Sequence, residues 1–148
     1  MNREILFRGK RADNGDWAEG CLLIDYVTGQ YFIHANGNSV NESDKVNEEG
    51  LLKFTAFEVD PETVCQYTGL PDKNGMKICE EDFVKIDNEW IGRVIWSTTE
   101  SAFIVFPNDD IEHEKYCLGY YVYEHDIEII GNFFDTPELL KEGDKVNG

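Results

Sequence analysis

Apolar positions in this chain come in short alternating bursts of three to nine residues, and turn residues separate them. They do not recur at the three-to-four-residue spacing of an amphipathic helix. Ile5 and Phe7 alternate with Leu6 and Arg8 and predict a short opening strand. Asp13-Asn14-Gly15-Asp16 is a turn, since Asn and Gly tolerate the positive φ that tight turns demand. Trp17–Val27 and Gln30–His34 flank Thr28-Gly29 and predict a hairpin. Residues 35–50 are polar and read as a long loop. Phe54–Val59 resumes as a strand, Asp60-Pro61-Glu62 turns the chain, and Val64–Tyr67 follows. Asp72-Lys73-Asn74-Gly75 carries Asn-Gly, the strongest short hairpin signal. Phe83–Ile86, Trp90–Trp96 and Ala102–Phe106 predict three strands, parted by Asp87-Asn88-Glu89 and Ser97-Thr98-Thr99. Tyr120–Tyr123 and Ile127–Ile130 predict two more.

The C-terminal stretch changes character. Phe134-Asp135-Thr136-Pro137-Glu138-Leu139-Leu140 predicts a short helix over Asp135–Lys141, closing near Gly143. Two starts fit. Asp135 caps with Glu138 three residues on and Phe134 stapled to Leu139, or Thr136 caps with Pro137 at the first helical position. Many short strands at regular spacing with turn chemistry between them predict an all-β protein, a small barrel or a sandwich.

Composition supports a packed core. Of 148 residues, 13% are aromatic, and such side chains bury large areas. Net charge is −17. Arg3, Arg8, Lys10 and Arg11 against Glu4 give the first eleven residues a local +3, which leaves −20 on the rest. A body this acidic repels phosphate backbones, so direct nucleic-acid binding is not expected. The apolar segment Ile5–Phe7, flanked by these cations, could dock on the acidic body of a second copy, giving a homo-oligomer; alternatively it folds back on its own body.

Four cysteines (Cys21, Cys65, Cys79, Cys117) include no Cys-x-x-Cys pair, and His34, His113 and His125 do not complete a zinc set. They read as reduced thiols of a cytoplasmic protein, although Cys65 and Cys79 are placed to flank one hairpin. No apolar run approaches a membrane span, and Met1-Asn2-Arg3-Glu4 does not open a secretion signal.

Three groups of residues invite a chemical reading. Glu80-Glu81-Asp82 gathers three carboxylates at a strand entry. Strand alternation sends Glu80 and Asp82 to one face, as a cation site or a shared-proton pair would need; a solvated strand entry, with Asp82 bonded to nearby backbone, needs nothing further. Asp109-Asp110-Ile111-Glu112-His113-Glu114 is rich in acids but lacks the spaced ligand order of a calcium loop, and reads as a solvated charged run. Trp90, Trp96, Phe103 and Phe106 suggest a ligand groove or, more simply, core. No nucleophile elbow, zinc-protease pair or phosphate loop is present. The sequence therefore assigns no catalytic, cofactor-binding or metal-binding residue.

Three blocks, in order, carry a resemblance. They are Arg3-Glu4-Ile5-Leu6-Phe7-Arg8; Gln66-Tyr67-Thr68-Gly69-Leu70 with Asp72-Lys73-Asn74-Gly75, running into Ile78, Glu80 and Asp82-Phe83-Val84; and Ile127-Glu128-Ile129-Ile130-Gly131-Asn132 with Pro137-Glu138-Leu139-Leu140. Together they resemble the YopX family of phage and prophage proteins. Glu81 departs from the pattern, which favours Gly before the Asp. The resemblance implies one domain over 1–148: an N-terminal β region (1–65), then a small SH3-like barrel with a short helix (66–140). It implies no activity. The expected function is that of a non-enzymatic phage or prophage accessory protein binding another protein. The alternative is an acidic DNA mimic that occupies the DNA-binding surface of a host protein. An enzyme whose constellation forms only on folding is a weaker third.

Overall fold

The computed structural model describes residues 2–35, 56–108 and 116–140. The expected loop over 35–50 and the acidic run Asp109–Glu114 fall essentially outside these residues. The chain is mostly β and forms two compact units, Met1–Gln66 and Tyr67–Gly148.

In the first unit, β1 (Phe7–Lys10), β2 (Trp17–Asp25), β3 (Gln30–Ala35) and β4 (Phe57–Val59) join the start of β5 (Cys65–Pro71) in the order β4-β3-β2-β1-β5. Period-two alternation decides the packing. Ala18, Ile33 and Val59 are buried on one face, with Phe7, Leu22, Tyr31 and Phe57 packed against them. The predicted β2–β3 hairpin forms, but β2 ends at Asp25, opposite Gln30, so the turn runs over residues 26–29 rather than over Thr28-Gly29 alone. The Asp25 carboxylate accepts from the Val27 and Thr28 N–H groups at 2.9 and 3.2 Å, which organises the turn. Asp60 caps a 3-10 turn at Pro61–Thr63, accepting from Glu62 N–H at 3.0 Å.

The basic opening strand is an inner one. β1 pairs with β2 along its length and with β5 at Phe7–Gln66 and Arg8–Cys65. At these positions the route to a second copy by strand pairing is closed. Its cations lie against their own unit: Arg8 and Lys10 sit 4.9 and 5.3 Å from the Trp17 ring centre. Arg11 stacks 4.0 Å over Phe57 and pairs with Asp13 at 2.6 Å.

In the second unit, the later part of β5 pairs with β6 (Lys77–Cys79). A four-stranded antiparallel sheet runs in the order β10 (Ile127–Asn132), β7 (Asp82–Ile86), β8 (Trp90–Ser97), β9 (Ala102–Pro107). Its pairings end at β10 and β9, so among the described residues they do not close a ring. Ile78, Val84, Ile86, Val94, Val105 and Ile127 are buried with Leu118 and Tyr121 of the helix α1 (Leu118–Glu124).

That helix corrects the reading of Tyr120–Tyr123 as a strand. Leu118 and Tyr121 are the buried positions and Val122 packs beside them. Spacings of three and four put these side chains on one helical face, and burial of that face outweighs the β propensity of the aromatic run. The short C-terminal helix starts nearer its second predicted start, although the Thr136 hydroxyl accepts from Asn132 N–H and donates to the Asn132 carbonyl rather than capping the helix. Leu139 and Leu140 N–H donate to the Thr136 and Pro137 carbonyls at 3.1 and 3.2 Å, with Pro137 at the first helical position. No disulfide joins any of the four cysteines, and Cys65 and Cys79 are buried.

Candidate functional site

The carboxylates at the mouth of β7 diverge. Asp82 is 1% exposed, and its Oδ2 accepts from Cys79 N–H at 2.8 Å. Glu81 has φ +68, the left-handed region that the favoured Gly would enter freely. Its N–H donates to the Val94 carbonyl at 2.8 Å and its carbonyl accepts from Phe133 N–H at 2.9 Å, so the bend is fixed from both sides. Its carboxylate accepts from Arg93 Nε at 2.6 Å and also bonds Nη2. The Arg93 guanidinium lies 4.1 Å over the Phe133 ring. The carboxylates of Glu81 and Asp82 thus have structural partners. Among the described residues no three His, Cys, Asp or Glu side chains gather as a cation would need.

Asp72 shows the same use of a carboxylate. It is 7% exposed; Oδ1 accepts from Asn74 and Met76 N–H, both at 2.9 Å, and Oδ2 from Ile129 N–H at 3.0 Å. It shapes the Asn74-Gly75 turn and ties that turn to β10. Gly75 has φ +80 while Asn74 does not enter the positive region, so the loop places one residue, not two, in the left-handed conformation.

The four aromatics proposed as one groove divide between the two faces of the sheet. Trp90 packs on the core with its edge 5.7 Å from Tyr121. Trp96 pairs with Phe103 across β8 and β9, their ring centres 5.0 Å apart. Phe106 pairs with Arg93, one residue out of step with those positions, and so points to the other face. There it is 52% exposed and lines a cleft of about 290 Å³ at the outer edge of β9. Ile104, Pro107, Tyr116, Ser97 and Glu100 complete most of the wall. Ile104 and Cys117 bridge across it in antiparallel fashion. In the sequence Phe106 was visible as a candidate, but nothing marked Tyr116 or Glu100 as its neighbours.

One ionisable pair escaped the sequence altogether. His125 Nδ1 lies 2.6 Å from Asp87 Oδ2, while Oδ1 accepts from Asp126 N–H at 2.9 Å. The Asp126 N–H and then His125 hold the Asp87 carboxyl below the usual carboxylate range. Asp87 and Asn88 both have positive φ, at 51° and 58°. The pair fastens the end of α1 to the β7–β8 turn. Its ring neighbours are Tyr120 and Tyr121, with centres at 5.4 and 5.7 Å.

No helix among the described residues is long and apolar enough to cross a membrane. Among curated proteins, none matches the chain. Its fold is similar to the crystal structure of protein EF1440 from Enterococcus faecalis. That likeness has a TM-score of 0.59 at 18% identity over 94% of this chain and 99% of that one. The YopX protein family matches residues 7–141, which takes in most of both units, and the chain belongs to that family.

Proposed function

We propose that this chain is a non-enzymatic accessory protein of a phage or prophage that acts in the cytoplasm by binding another protein. The observation that carries the reading is the half-exposed Phe106 on the wall of an apolar cleft at the outer edge of β9. Aromatic side chains of this kind are enriched where proteins meet, and buried contacts there dominate binding energy. The carboxylates that looked chemical in the sequence support the same reading. Glu81 holds an arginine and Asp82 a turn, which is structural work.

A pull-down from bacterial host lysate with wild type and Phe106→Ser, at low and raised salt, tests it. Phe106 is exposed, so its replacement should leave the fold standing. The expected result is a partner that stays bound at raised salt and is lost with Phe106→Ser. Basic DNA-binding proteins that elute steeply with salt and ignore Phe106→Ser would instead favour the acidic DNA mimic.

A further inference from the structure

The cleft beside β9 has a charge as well as a shape. At about 290 Å³ it lies at the low end of ligand pockets, roughly 300 Å³, and suits one apolar side chain better than a large cofactor. Its floor is aliphatic and aromatic, through Ile104, Phe106 and Pro107. Among the described residues Glu100 is the one acid on the wall, and none of the described lysines or arginines lines it. The Glu100 backbone is fixed by its N–H donating to Ser97 Oγ at 3.2 Å. Among the described residues its carboxylate has no ion-pair partner. The whole chain, at −17, adds a field that attracts cations and repels acids.

Resting on the reading above, we infer that this cleft takes a short cationic segment of a partner protein. An apolar side chain of that segment sits against Ile104 and Phe106, and a neighbouring Lys or Arg sits against Glu100. The apolar contact supplies most of the affinity. The ion pair, between exposed groups, supplies orientation and discrimination against acidic segments.

The test is a selection of random displayed peptides on the full chain, followed by binding of the selected synthetic peptides to wild type, Glu100→Gln and Phe106→Ser. Expected peptides place Lys or Arg beside an aliphatic or aromatic residue. They bind Glu100→Gln about threefold more weakly, the size of one exposed ion pair, and lose binding to Phe106→Ser. Backbone NMR shifts on binding should centre on Ser97, Ile104 and Phe106. Peptides that need Phe106 but carry no cation, or ignore Glu100→Gln, overturn the inference and leave the interaction reading intact. Peptides that bind regardless of Phe106→Ser, or a selection that yields none, overturn both. Unchanged melting of the two variants establishes that any loss comes from the cleft.

Discussion

Glu81 offers a test of how the bend before β7 is held, because one residue carries both a backbone cost and a side-chain gain. At φ +68 any residue with a Cβ sits about 1–2 kcal/mol above its right-handed alternative. Its carboxylate returns part of that through a partly buried, charge-assisted contact with Arg93, the two side chains being 22% and 28% exposed. Glu81→Ala keeps the backbone cost and removes the contact, so it should destabilise by about 1 kcal/mol or more. Glu81→Gly also removes the contact but relieves the backbone. Against that relief stands about 0.4–1 kcal/mol for the looser unfolded chain. The two terms leave Glu81→Gly more stable than Glu81→Ala by roughly 0.5–1 kcal/mol. Urea denaturation of both variants beside wild type measures the difference from the midpoints at common slope. If Glu81→Ala proves as stable as Glu81→Gly, the left-handed backbone at Glu81 is not what the sequence must accommodate there, and the reasoning fails.

Other perturbations have equally direct outcomes. Gly75→Val should cost about 1–2 kcal/mol from backbone conformation alone, since a Cβ at Gly75 meets nothing within 4 Å; an unchanged denaturation midpoint would refute the turn. Asp72→Ala leaves three backbone N–H groups without their carboxylate and should cost about 2–4 kcal/mol, while a loss below 1 kcal/mol would show the network to be idle. Asp87 is held below its unfolded value of about 3.9, so its contribution is complete above that pH and is lost as pH falls through the lower folded value. The stability difference between wild type and Asp87→Asn should therefore shrink below about pH 4; a difference flat down to pH 2 would contradict the bonds to Asp126 and His125. Chelator treatment should leave the melting temperature of the purified protein unmoved, and a clear drop would reveal a cation site.

The β class was legible because its punctuation is local. Asn14-Gly15, Thr28-Gly29 and Asn74-Gly75 each place their glycine at positive φ, and the glycine announces the turn without knowledge of what packs around it. The start of the C-terminal helix near Thr136-Pro137 was legible for the same reason, since that dipeptide is a local signal. Tyr120–Tyr123 misled because four aromatic and branched residues favour a strand in isolation. Only burial of Leu118 and Tyr121 against Val94 and Val105 makes that segment helical. The cleft and the Asp87–His125 pair were invisible on different grounds. Asp87 and His125 are 38 residues apart, and Phe106 meets Tyr116 only once β9 has an outer edge.

The acidity itself divides into two populations, which bears on the DNA-mimic alternative. Asp25, Asp60, Asp72, Asp82 and Asp87 each accept from backbone N–H groups that no strand partner satisfies. A β protein with many turns needs such acceptors, so part of the negative charge comes from building turns. Asp72 and Asp82 are buried in that role and cannot face a basic partner. Asp25 and Asp87 are exposed, but one oxygen of Asp25 and both of Asp87 are directed back at the chain. A phosphate array would have to be drawn from acids such as Glu100 and Glu89, whose carboxylates lie at the surface. Neutralising the first population attacks the fold, whereas neutralising the second leaves it standing. A charge effect on binding is therefore interpretable only from the second, and the total of −17 overstates the charge that any partner meets.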